Sequence, residues 1–339
     1  MSATDAAGPG ATQPVARQGA PWGLLSVLGG LWSRAVAILL ALHPLGAILV
    51  LGWLMRLMQA ETAEARACLA QGSRPRRAAL PGWLAAGRVE ATGRLGRLFG
   101  GLWLNVGHGL AALVTLAAGT LPFTLLWLLA WWGGWENSFN KGYEQSWIGP
   151  TVALVGVAIA LPLLARLPMA LAHQAAEGRM SAFFARRPVA RLMRAAGWRY
   201  VALAALSALA ALPLFALQGL PVFVEGWRPG FAERSPQEVQ RFIDGYRLVA
   251  TAYLVLATIA LRRMAARLYA RASLALETGP GDRGRAGPSA LLRLVLVWTC
   301  WLAVVAQVFV AQFLNHQWAV WLLPPLAGLP WFAPLAPVP

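Results

Sequence analysis

An all-α membrane protein, with five or six transmembrane helices and amphipathic arginine-rich helices on the cytoplasmic face, is the fold class this sequence predicts. Three observations carry that expectation. Of 339 residues, 58% are hydrophobic and only 12% charged, about half the charge of an ordinary soluble domain, and the mean hydropathy is +0.56. Apolar runs long enough to cross a bilayer recur along the chain. The formal net charge of +16 sits in alternate connections, the pattern of positive-inside topology. A soluble enzyme, a disordered chain and a disulfide scaffold are excluded. What remains is one helical domain over residues 21–314, between a flexible Gly/Ala/Pro lead (1–20) and a Trp/Pro-rich interfacial tail (315–339).

The elements follow in order. Residues 35–54 are uncharged and would make about 30 Å of helix, one span, with 22–33 as an interfacial helix. The alternative is a re-entrant hairpin turning at His43-Pro44. Residues 98–135 carry no formal charge and read as one long tilted helix ending near Pro122 or Trp131. A third span over 146–165 starts near Pro150, with Pro162 and Pro168 kinking its far end. A fourth covers 200–224. The fifth begins in water at a capping box, Ser235-Pro236-Gln237-Glu238, and enters the membrane over 248–261, with Arg247 and Arg262 snorkelling at its ends. Residues 294–314 form the sixth.

Arginine dominates the basic residues, with Lys141 as the one lysine. Connections 55–97, 166–199 and 262–293 hold 22 Arg against six acids, whereas 133–147 and 225–247 together are slightly acidic. The three arginine-rich connections are therefore expected to be cytoplasmic and the C-terminus outside. Arg187, Arg191 and Arg194 recur at helical spacing, as do Arg263, Arg267 and Arg271. Both stripes are expected to lie along a membrane surface with guanidinium groups on anionic headgroups, or on partner subunits. No nucleic-acid module surrounds them, so nucleic acid is not an expected partner.

Chemistry-bearing residues are few. His43 and His108 lie at similar depths in the expected spans, about 18 and 15 Å from the cytoplasmic ends at 1.5 Å per residue, as a bis-His haem or other tetrapyrrole site would need. The plainer readings are a kink cap for His43 and helix packing for His108, beside Gly107 and Gly109. His316 reads as an interface residue. Asn105, Thr115, Gln307 and Gln312 are mid-span polar groups suited to bonds between helices. Cys68 and Cys300 have no metal-ligand spacing, and no hydrolase, P-loop or metalloprotease motif is present.

The run Leu51-Gly52-Trp53-Leu54-Met55-Arg56-Leu57, then Ala70-Gln71-Gly72, then Leu80-Pro81-Gly82-Trp83, resembles an uncharacterised family of prokaryotic polytopic integral-membrane proteins. Ala175-Ala176-Glu177-Gly178-Arg179 with Phe183-Phe184 is similar to a second segment of that family. Acidic residues usual after the second motif are replaced here by Leu84-Ala85-Ala86-Gly87. The resemblance spans roughly residues 30–220. It implies a multi-pass protein of the prokaryotic inner membrane, a six-helix-like fold beginning with a broken apolar hairpin, and no assigned activity. Residue types and pattern together favour a non-enzymatic scaffold or accessory subunit of a larger membrane assembly, bound to anionic lipids and other subunits, with no resident cofactor. The alternatives are a transporter or channel for a small or lipid-like solute, since prolines interrupt several spans, and a haem- or pigment-binding subunit using His43 and His108.

Overall fold

The computed structural model describes residues 24–84, 93–131, 147–219, 230–231, 233–278 and 288–314. The lead, the tail with His316, most of connections 133–147 and 220–229, and the side chains of Gln307 and Gln312 lie outside the described residues. Every regular element described is a helix: α1 Leu24–Ala41, α2 Pro44–Ala70, α3 Gly93–Trp131, α4 Ile148–Leu164, α5 Leu167–Glu177, α6 Met180–Phe183, α7 Arg186–Ala196, α8 Trp198–Gly219, α9 Pro236–Thr278 and α10 Pro288–Leu314. Three of them (α3, α9, α10) are long and apolar enough to cross a membrane. The number rises to five if each of two bent pairs, α4 with α5 and α7 with α8, is one span.

The first apolar segment does not form the continuous span over 35–54. It breaks at Leu42-His43, where Pro44 opens α2 and the His43 Nδ1 accepts the Leu45 amide at 3.3 Å. Proline suits a first helical position because its missing N–H has no partner there. α1 and α2 then pack on each other as a broken hairpin, and α2 continues to Ala70 through Arg56 and Glu61.

α3 runs 39 residues through Pro122, about 58 Å at 1.5 Å per residue. Inside it, Thr115, Thr120 and Thr124 return their hydroxyls to carbonyls three or four residues back, which satisfies them without water. Gly52 and Gly109 let α2 and α3 touch backbone to backbone. A Cβ on Gly52 would stand 1.8 Å from the Asn105 carbonyl oxygen, and one on Gly109 would stand 2.1 Å from that of Ile48. Small residues permit this approach in membrane helix pairs.

The predicted kink after the third span is present: α4 and α5 meet at 44° around Arg166, with Pro162 inside α4 and Pro168 at the start of α5. The capping box is also present, with Ser235 Oγ accepting the Glu238 amide at 3.4 Å and Glu238 Oε2 accepting the Ser235 amide at 3.3 Å. From there α9 runs unbroken for 43 residues, far beyond the 14-residue apolar stretch expected to span. The core gathers Met55 and Met58 of α2, Met169, Leu171 and Ala175 of α5, Val189 and Leu192 of α7, Tyr200 of α8 and Ala265, Leu268, Tyr269 and Ala272 of α9. The described helices of the three arginine-rich stretches thus pack into one body.

Candidate functional site

The site is this arginine-rich body, and it is built outward from α2. Residues 73–82 have no regular structure; Pro75 and Pro81 cannot donate to a helix or sheet. The strap they form is held on three sides. Trp53 Nε1 donates to the Pro81 carbonyl at 2.9 Å, and Trp83 Nε1 donates to the Ser33 carbonyl at 3.1 Å. The two indoles stack at 4.9 Å, 9° from parallel. Buried Arg56 donates from Nη1 to the carbonyls of Gly82 and Gly101 and to Asn105 Oδ1, at 3.0, 3.3 and 3.0 Å. Asn105 Nδ2 returns a bond to the Trp83 carbonyl at 3.2 Å. The two motifs around Trp53-Arg56 and Pro81-Trp83, 28 residues apart, are therefore two halves of one joint.

A charged lock follows one turn further along α2. Glu61 is fully buried. Its Oε2 accepts the Ala78 amide at 3.2 Å and lies 3.5 Å from Arg263 Nη1, while Oε1 binds Arg267. Arg263 Nη2 donates to the Ala78 carbonyl at 3.2 Å, so Glu61 and Arg263 hold both backbone polar groups of one strap residue. Beyond the lock, Arg66 makes a two-pronged pair with Glu277 at 2.8 Å, and this pair is exposed.

Two expectations are corrected here. Arg263 and Arg267 do not face lipid headgroups; their stripe turns toward α2 because buried Glu61 offers a charge partner there, and Arg271 alone of the three is exposed. Arg262 does not snorkel. It is buried, with Nη1 at 3.8 and 3.5 Å from the sulfurs of Met55 and Met58, because α9 continues past it into the packed body instead of ending at an interface.

The other stripe turns its apolar side to the protein's own core and its arginines outward. In α7, Val189, Leu192 and Ala196 are buried, while Arg186, Arg187, Arg191 and Arg194 are exposed. The helix lies across the bundle end because the chain turns by 98° between α7 and α8 at Gly197. Gly197 has φ +59°, a backbone conformation that disfavours an L side chain, and a Cβ there would stand 3.0 Å from the movable tip of Arg293 at Nη1. A groove of about 600 Å³ opens between α4, α7, α8 and α10, and both helix breaks, at Arg166 and at Gly197, lie on its wall.

His43 is exposed at the α1–α2 break as a helix cap, and His108 is half-buried within α3. Among the described residues, no three His, Cys, Asp or Glu side chains converge to hold a metal. Sequence reasoning missed the buried role of Glu61 and the contact between His173 of α5 and Tyr269 of α9, whose Nδ1 and hydroxyl lie 3.1 Å apart. It also missed Gln174, the partner of Thr115 at 3.0 Å. The available signal was Glu61 with Glu64, two acids carried on the helical continuation of α2 among so many arginines. No protein-family model, curated protein or solved structure matches the chain. The family resemblance rests on the motif residues alone.

Proposed function

We propose that the chain is a non-enzymatic integral membrane protein serving as a scaffold or accessory subunit of a larger membrane assembly. The observation that carries this reading is the division among its charged groups. Glu61, Arg263 and Arg267 bond helix to helix in the interior, and Arg56 ties α2 to the strap and to α3. Other arginines stay exposed: Arg186, Arg187, Arg191 and Arg194 make one face of α7, and Arg74, Arg76 and Arg77 of the strap, Arg179, Arg199 and Arg271 are exposed as well, a basic surface suited to anionic headgroups or an acidic partner at the cytoplasmic side. Multi-pass residence in the prokaryotic inner membrane, with the C-terminus outside, belongs to this reading and is supported by the charge distribution.

The test is native mass spectrometry on protein extracted gently from its own membranes. A mass above 36.3 kDa with other chains attached is expected, and those chains should be lost when Arg187, Arg191 and Arg194 are replaced together by Gln. A bare monomer or homo-oligomer overturns it. One observation favours a second reading, transport of a small or lipid-like solute: the two helix breaks share the wall of one groove, and broken helices commonly form substrate sites. Uptake into vesicles reconstituted with this protein alone would support that reading. The cofactor-subunit reading, through His43 and His108, has a simpler test: purified protein should be coloured, and His108→Ala should bleach it.

A further inference from the structure

We propose that the groove between α4, α7, α8 and α10 seats one anionic phospholipid, its phosphate held by Arg166, Arg194 and Arg293 and an acyl chain lying along Val201, Leu294 and Val297. This inference does not depend on the accessory-subunit reading.

Three guanidinium groups reach the groove from three different elements, and neither Asp nor Glu lines it. Arg166 donates from Nε to the Pro162 carbonyl at 2.8 Å, and Arg293 donates from Nε to the Ser289 carbonyl at 3.0 Å. Each bond uses the inner nitrogen and orients the outer pair, the fork that matches phosphate oxygens. Among the described residues, no carboxylate pairs with any of the three. Arg263 and Arg267, which share Glu61, show what this chain does when it supplies its own counter-charge. Around the groove the described residues supply no such counter-charge, and three like charges around one cavity call for an anion.

The rest of the wall selects a lipid over a free anion. Pro162, Met193, Val201, Leu294, Val297 and Trp298 make it mainly apolar, a surface a bare phosphate has no use for. The cavity, about 600 Å³, is far larger than one phosphate group requires. Its α10 side belongs to the least buried apolar span, only 11% buried within the protein, so a chain can enter sideways from the bilayer. Arg166, Arg194 and Arg293 all belong to the arginine-rich connections, so the phosphate falls at the level of the cytoplasmic leaflet's headgroups. Gly197 keeps the space beside Arg293 open.

The experiment is lipid titration of the full-length protein in detergent, read by native mass spectrometry and thermal unfolding. The probes are dioleoyl phosphatidylglycerol, dioleoyl phosphatidylcholine and inorganic phosphate. Phosphatidylglycerol should fill one site at least about tenfold more tightly than phosphatidylcholine and raise Tm, given the strength of hydrogen bonds to charged groups. Arg166→Gln with Arg194→Gln and Arg293→Gln should abolish that preference, while Arg187→Gln with Arg191→Gln, on the outer face of α7, should leave it. If the triple variant does not fold, the single change Arg194→Gln, at an exposed position, and Val201→Trp, which fills the groove without touching charge, decide the matter; both should weaken phosphatidylglycerol. Equal binding of the two lipids, or binding unchanged in Val201→Trp and the arginine variants, overturns the site. Displacement of phosphatidylglycerol by millimolar inorganic phosphate, with the same rise in Tm, overturns the lipid as its occupant.

Discussion

Two arginine stripes of similar helical spacing, one on α7 and one on the second half of α9, meet opposite surroundings. On α7, Val189, Leu192 and Ala196 face inward and the guanidinium groups face out. On α9, Arg263 and Arg267 turn inward onto Glu61 and the strap peptide at Ala78. Periodicity alone fixes which residues share a face. What that face meets is decided by a partner elsewhere in the chain, here an acid about 200 residues earlier. Taking the acid away from such a pair would leave the arginine charge uncompensated, which is costly.

The sharpest way to break the comparison is Glu61→Gln. It leaves two inward-turned arginines without their carboxylate and should cost about 3–5 kcal/mol, read as a large fall in Tm in detergent. A Tm within a degree of the parent would put the α9 stripe in the same class as the α7 stripe. Gly52→Ala comes next. Its Cβ would overlap the Asn105 carbonyl, forcing α2 from α3 and loosening the Arg56–Asn105 joint at about 1–3 kcal/mol, visible as faster proteolysis within 73–84.

Smaller effects sharpen the contrast. Ser235→Ala removes the cap at the far end of α9 and should cost about 1 kcal/mol, with hydrogen exchange rising at Glu238 and Val239 while the amide of Ala78 stays protected. Glu277→Gln breaks an exposed pair worth under about 1 kcal/mol, and 1 M salt should erase most of the difference in Tm. Last, replacing Arg187 and Arg191 by Gln should shift stability by less than about 0.5 kcal/mol. Binding to anionic vesicles should nevertheless fall, because those side chains are spent outside the fold.

Local signals were legible. The capping box at Ser235, the proline-bent junction around Arg166, the long uninterrupted α3 and the exposed face of α7 each depend on residues within a few positions of one another. The break at His43-Pro44 was legible as one of two alternatives, and the residue that caps α2 is the one the sequence points to. The end of the fifth span was not legible. Arg262 and Arg263 read as an interface because charge normally stops a membrane helix, whereas Met55, Met58 and Glu61 receive them and the helix continues. Asn105 was recognisable as glue between helices, but its partners, Arg56 and the Trp83 carbonyl, come from a loop and a helix whose meeting no periodicity encodes. His173 and Tyr269 escaped notice for the same reason.

The unbroken course of α9 has a mechanical consequence. Its 43 residues make a rod about 64 Å long, stiffened where Arg263, Arg267 and Glu277 fasten it to α2 and loaded at its other tip by the Ser235 cap. A pivot of only 5° about the fastened end would sweep the capped tip through roughly 5–6 Å, one helical pitch.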